Sequence, residues 1–205
     1  MKKLHASLLA AGVLGLASTA PMAATYSFQA MLDAAQEVGA AVSSTGTGQA
    51  LLVYDDLGTA SAADDTYDFT MSVFDLTGPA TGYHIHGAAA AGENGPVRVA
   101  LDAAPFISLP VGGSLLVGGN DVPVPAITAT PASATNPGYP AMSFLDMLKG
   151  GLAYVNVHTA AFPSGEVRGQ LMQVTAVPEP GTWAMLLAGV AAIGAVVRRR
   201  VNDQR

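Results

Sequence analysis

The chain contains no cysteine. That excludes disulfides, thiol catalysis, zinc knuckles and iron–sulfur ligation. Charge is also scarce. Only 12% of the 205 residues are Asp, Glu, Lys or Arg, about half the share of an average globular chain. A charge-rich disordered tail, a coiled coil and a long helical bundle are excluded on that ground. Positive charge is scarcest of all. Between Thr25 and Thr175 only Arg98, Lys149 and Arg168 oppose thirteen acidic residues, a net charge of −10, although the whole chain sums to −6. An acidic body repels phosphate backbones, which argues against a nucleic-acid partner. No Gly-x-Ser-x-Gly elbow, phosphate loop or dinucleotide-binding glycine fingerprint stands in a strand–turn–helix context.

What the chain does contain is glycine (23 residues), proline (13 residues) and short alternating runs. At roughly 150 residues per domain, its length suits one domain with attachments. Tyr67-Asp68-Phe69-Thr70-Met71-Ser72-Val73 alternates apolar and polar residues, the period of a half-buried strand. Shorter runs at Tyr26–Met31, Ala50–Tyr54, Tyr83–His86, Val97–Leu101, Ser114–Val117, Ala153–His158 and Glu166–Val174 predict further strands. Turn clusters such as Asp55-Asp56-Leu57-Gly58, Thr77-Gly78-Pro79 and Pro163-Ser164-Gly165 separate them. Many short strands between Gly/Pro-rich turns predict an all-β sandwich or barrel. One short helix is expected over Ala141–Lys149, stopped by Gly150-Gly151. Asn120–Pro140, with five prolines, reads as an extended surface loop.

The two ends read as addresses. Residues 1–24 have Lys2 and Lys3, an apolar stretch from Leu8 to Leu16 and a small-residue exit at Ala23-Ala24. This is the layout of a secretory signal peptide with its helix. At the other end Pro178-Glu179-Pro180 precedes Trp183, an apolar run from Ala184 to Val197 and the cluster Arg198-Arg199-Arg200. Fourteen apolar residues are fewer than the ~20 of a comfortable membrane span. Trp183 suits one membrane interface and the arginines suit a cytoplasmic one. The motif, the short transmembrane helix and the basic tail, in this order, resemble the PEP-CTERM sorting signal of Gram-negative bacteria. That resemblance implies export and removal of the tail by a sorting protease of the inner membrane. The expected division is therefore 1–24 leader, 25–175 β-domain, and 176–205 sorting and anchor segment.

Chemistry gathers at histidine. His5 belongs to the leader, and the other three fall in Tyr83-His84-Ile85-His86-Gly87 and Val155-Asn156-Val157-His158-Thr159. Residues two apart on a strand share a face, so His84 pairs with His86, and Tyr154, Asn156 and His158 line up likewise. Neighbouring strands would bring three imidazoles together, a donor set that suits copper, zinc or nickel. The same pattern also suits imidazoles that simply bond backbone carbonyls across a turn. Glu166 and Arg168, also two apart, are expected to form a structural ion pair. The doublets Asp55-Asp56 and Asp64-Asp65 lack the spacing of a calcium loop and read as a solvated hairpin.

Both histidine motifs, with Gly95-Pro96-Val97 and Pro163-Ser164-Gly165-Glu166-Val167-Arg168-Gly169-Gln170-Leu171, resemble the CHRD domain. That domain is named after chordin, an extracellular antagonist of growth factors, and also occurs in exported bacterial proteins. The resemblance covers about Tyr26 to Val174, and Gly46-Thr47-Gly48-Gln49-Ala50 resembles the family's second strand. Through a distant similarity to copper/zinc superoxide dismutase it implies a Greek-key β-barrel, with His84, His86 and His158 in the positions of copper ligands. The zinc ligands, the bridging histidine and the disulfide of that enzyme are missing here, so dismutase activity is not expected. The primary expectation is an exported cell-envelope or extracellular-matrix protein, transiently anchored in the inner membrane. It would play a non-enzymatic binding or adhesion role toward an exopolysaccharide or other cell-surface partner. The alternative is a metal-binding or redox protein, with copper before zinc at the three histidines. A growth-factor antagonist by analogy with chordin fits poorly with a bacterial sorting tail.

Overall fold

The computed structural model describes residues 23–59, 61–134 and 136–174. Ten strands follow one another: β1 (Ala24–Asp33), β2 (Thr47–Asp56), β3 (Thr66–Phe74), β4 (Ala80–His86), β5 (Val97–Ala100), β6 (Ile107–Val111), β7 (Ser114–Pro123), β8 (Tyr154–Thr159), β9 (Val167–Gln170) and β10 (Met172–Val174). A short helix, α1 (Phe144–Lys149), lies between β7 and β8, and a 3-10 turn (Ala34–Gln36) follows β1. The expected C-terminal helix and all but the last two residues of the expected leader lie outside the described residues. Among the described residues no helix is long and apolar enough to cross a membrane.

The alternation read from the sequence is the alternation observed. In β3, Tyr67, Phe69, Met71 and Val73 point into the core while Asp68 and Thr70 face out. The strands form one antiparallel sheet in the order β5-β4-β8-β9-β1-β2-β3-β7-β6, with β10 beside β1. The sheet curls into a half-barrel around a single apolar cluster that takes side chains from both of its halves. Full burial of each large apolar side chain there stabilises the fold by about 1.5–3 kcal/mol.

Successive hairpins alternate between the two halves of the sheet. β1–β2–β3 build one half, β4–β5 the other, β6–β7 return to the first, and β8–β9 close the second. This weave is what sets β4 directly beside β8, antiparallel, despite their distance in sequence.

Local departures from the sequence reading have physical reasons. α1 begins at Phe144 because Ser143 caps it, its hydroxyl accepting from the Asp146 N–H at 2.9 Å. It stops where Gly151 turns left-handed at φ +63°. The expected strand Glu166–Val174 is two strands. Leu171 interrupts it by burying its side chain fully and donating its N–H to Ala153 O at 2.9 Å. β7 runs on through Pro123, so the expected loop starts later. That loop then folds back on itself through paired 2.8 Å bonds between Thr130 and Tyr139. β6 was not anticipated. Its inner side is Ser108, bonded to the Tyr83 hydroxyl at 2.6 Å, while Ile107, Leu109 and Val111 face solvent. The periodic signal is present but inverted.

Candidate metal centre

The site is built on the outer face of β4, β8 and β9. Tyr83, Ile85, Val155, Val157 and Val167 point into the core, so their neighbours along each strand point the other way. The register sets Gly82 opposite His158, His84 opposite Asn156 and His86 opposite Tyr154, and on the far side of β8 it sets Asn156 opposite Arg168 and Tyr154 opposite Gln170. Gly82 matters to this arrangement. A Cβ there would stand 3.3 Å from the His84 ring and 3.8 Å from the His158 ring.

The three imidazoles converge as the strand spacing predicts. Ring centroids lie 5.4 Å (His84–His158), 5.6 Å (His84–His86) and 6.2 Å (His86–His158) apart. One nitrogen from each ring lies within 4.8 Å of the others. With bonds of about 2 Å, two nitrogens facing each other across an ion stand about 4 Å apart. The 4.8 Å limit is within about 1 Å of that separation.

The hydrogen bonds decide which nitrogen is free. His86 Nδ1 lies 2.9 Å from Gly95 O, and His158 Nδ1 lies 3.0 Å from Pro163 O. A carbonyl only accepts, so both rings carry their proton on Nδ1 and keep a lone pair on Nε2. Those two Nε2 atoms, together with His84 Nδ1, are buried and have no hydrogen-bond partner. His84 Nε2 faces the Asp102 carboxylate at 3.9 Å. Burial also disfavours the charged form of His86 and His158. It lowers His86 to about 4 against the opposing Gly95 bond, with the charges of His84, His158 and Arg168 adding to the effect. His158 is lowered too, again chiefly by burial. Neutral, oriented imidazoles are the form that binds a metal.

Around the rings lies a supporting layer. Tyr154 stacks on His86, centroids 4.9 Å apart and planes within 10°. Its hydroxyl also accepts from Gly95 N at 3.1 Å. The Arg168 guanidinium lies 3.4 Å from the centre of the Tyr154 ring. It donates to Glu93 O at 2.7 Å and to Asn94 Oδ1 at 3.1 Å. Arg168, only 1% exposed, thus pins the segment that presents Gly95 O to His86.

The expected ion pair between Glu166 and Arg168 is not formed. Glu166 is fully buried, and its carboxylate accepts from Ser44 Oγ (2.6 Å), Thr77 N (2.7 Å), Thr77 Oγ1 (2.8 Å) and Thr159 Oγ1 (2.5 Å). Burial pushes this acid up, but the bonds from Ser44, Thr159 and Thr77 outweigh it and hold the group below its ordinary value. Thr159 ends β8 and Tyr154 begins it, so the two side chains serve opposite ends of that strand. The aspartate doublets cap their own hairpin. Asp65 accepts from the Tyr54 hydroxyl at 2.6 Å and Asp56 from Gly58 N at 2.9 Å. Among the described residues the histidines form the one group with metal-ligand geometry.

A cleft of ≈ 500 Å³ opens beside the rings, lined by His86, His158, Tyr154, Asn156 and Glu37 among others. Glu37 follows the 3-10 turn and was missed in the sequence, where no spacing ties it to β8. Asn156 does carry a signal, because it shares a face with His158.

The CHRD domain model matches residues 28–171, from β1 to the residue after β9. The PEP-CTERM protein-sorting motif matches residues 176–200. That motif indicates export to the cell surface in Gram-negative bacteria and implies membrane association and processing by a sorting protease. No curated protein and no solved structure matches the chain. With more than two thirds of its length matched to one domain, the chain belongs to the CHRD-domain family and carries a C-terminal PEP-CTERM sorting motif.

Proposed function

We propose that this exported cell-envelope protein binds one copper ion between His84, His86 and His158. One observation carries the reading: three imidazoles from adjacent strands each bring a ring nitrogen within 4.8 Å of the others, and each ring holds one buried nitrogen without a hydrogen-bond partner. A backbone or side-chain donor would satisfy a merely structural imidazole, and a buried orphan acceptor is costly. Three neutral nitrogens without thiolate or carboxylate suit Cu(II) before Zn(II), because copper stands higher in divalent affinity. The cleft beside the rings leaves room for an exchangeable ligand on the ion. The weave of hairpins is also consistent with the Greek-key barrel implied by the family resemblance. No dismutase cycle is proposed, because the chain has no histidine between His86 and His158 to bridge two metals.

The division into a leader (1–24), a CHRD body (25–175) and a sorting segment (176–205) belongs to the same proposal. In it Pro178-Glu179-Pro180 is the sorting motif, and Trp183 with Arg198, Arg199 and Arg200 flanks the anchor. The binding or adhesion role toward an exopolysaccharide uses none of the histidines. The metal reading is preferred because it has a built site.

The test is elemental analysis of the purified protein after copper loading and exhaustive dialysis. The expected result is one copper per chain, lost in His86→Ala and in His158→Ala without unfolding. Both rings are half-buried and neither belongs to the apolar core, so each truncation should cost about 1–2 kcal/mol. No copper in the wild type, or equal copper in the variants, overturns the proposal.

A further inference from the structure

The cleft holds a second polar group that metal binding leaves unused. Asn156 is 4% exposed, and its Oδ1 has no hydrogen-bond partner. Glu37 Oε1 is likewise buried and unpartnered. Only one donor lies between the two side chains: Asn156 Nδ2, 3.4 Å from Glu37 Oε2. A Cβ at Gly165 would meet both Glu37 oxygens at 2.6 Å and Asn156 Oδ1 at 2.7 Å. Three acceptor oxygens therefore crowd about one point, and Gly165, at φ +133°, leaves them the room. Buried acceptors in such proximity are unfavourable unless a proton or another donor lies among them.

We propose that Glu37 is the acid of this cleft: below neutral pH it holds a proton on Oε1 and donates it to Asn156 Oδ1, and it releases that proton when a dication occupies the histidines. The release step rests on the metal reading, whereas the protonated resting state does not. Burial raises this carboxyl to about 7, against the opposing influence of Arg168 and the Asn156 bond. The titratable groups facing the cleft are Arg168 from β9, Tyr154 and His158 from β8, and His86 from β4. Of these, Arg168 brings the positive charge, and its N–H groups are already given to Glu93 and Asn94. The imidazoles are neutral by burial until an ion arrives. Two added positive charges then favour the carboxylate. The Glu37 O–H bond breaks, the proton passes to the buffer base, and the carboxylate stays behind.

Glu37→Gln keeps the size and supplies an amide donor to Asn156, so the fold should survive. Infrared spectra of the metal-free protein should show a protonated-carboxyl stretch at pH 6 that disappears as the pH rises through about 7. Glu37→Gln should lack it. A wild-type spectrum without that band overturns the resting state. Stability gives a second metal-free readout. Below a pH of about 4.5 folded and unfolded chains both hold the proton, so Glu37 carries no penalty there. Between about 4.5 and 7 only the unfolded chain releases it, and the wild type loses stability relative to Glu37→Gln. The two proteins should melt together at pH 4 and apart at pH 8, with the variant higher. Finally, adding Cu(II) at pH 6 should release close to one proton more from the wild type than from the variant. Equal release overturns the coupling. Failure of copper to bind either protein overturns the metal reading and the release step with it, while the infrared result still decides the resting state.

Discussion

The two halves of the sheet share an inner face and differ in their outer one. On β1, β2, β3, β7 and β6 two of the outward rows are Gln29–Leu51–Thr70–Gly118–Ile107 and Met31–Gln49–Ser72–Leu116–Leu109. None of these residues is charged, and several are bare: Met31 is 63% and Ile107 75% exposed. On β4, β8 and β9 the outward residues are His84, His86, Tyr154, Asn156 and Arg168, all buried or half-buried. In β8 Tyr154, Val155, Asn156 and Val157 are buried in succession, so both faces of that strand are covered. The backbone ladder is the same in both halves. The cover makes the difference: only a roofed face withdraws polar groups from water, perturbs their protonation and leaves their lone pairs without partners.

The roof should therefore be the sensitive part. Glu166 ties the segment at Ser44, the turn at Thr77 and the end of β8 together, with no cation to compensate it. Glu166→Ala should lower stability in urea unfolding by about 3–5 kcal/mol, because the donors that share this carboxylate lose their acceptor at about 1–3 kcal/mol for each one left buried and unpaired. A loss below about 1 kcal/mol would show that the roof is not built around it. Next in size is Arg168→Lys. It keeps the charge but loses the planar fork that spans Glu93 and Asn94. Copper affinity should fall about 10–100-fold through the loosened Gly95–His86 bond, as for other outer-layer changes. The smallest effect belongs to the bare half. Thr70→Ala should shift stability by no more than about 0.5 kcal/mol and leave copper affinity untouched. A larger change there would mean that the outer face is not the free surface its exposure indicates.

Much of this was legible in the residues. Strict alternation from Tyr67 to Val73 specified a strand and its inner face, because one face of that strand is dry and the other wet. His84, His86 and His158 were legible as a cluster for a similar reason: period-two spacing fixes which side chains share a face. β6 escaped notice because Ile107, Leu109 and Val111 point outward, so the apolar face is the wrong one, and because Pro110 interrupts the run. That proline also suits an edge strand, which needs no donor on its free side. The ion pair between Glu166 and Arg168 failed for a different reason. Spacing within a strand says which side chains are near each other, but partners arriving from Ser44, Thr77, Glu93 and Asn94 decide where each one goes. Glu37 is the extreme case. It is 119 residues from Asn156, and only the fold brings the two together.

The central claim is that the roofed half of the sheet presents three imidazole nitrogens to one ion. Electron paramagnetic resonance of the protein loaded with one equivalent of Cu(II) tests it most directly. The account expects a single copper species whose nitrogen hyperfine pattern reports three imidazoles, and loss of that species in His84→Ala, in His86→Ala and in His158→Ala. A spectrum with fewer than three nitrogens in the wild type, or one unchanged by these substitutions, would contradict it.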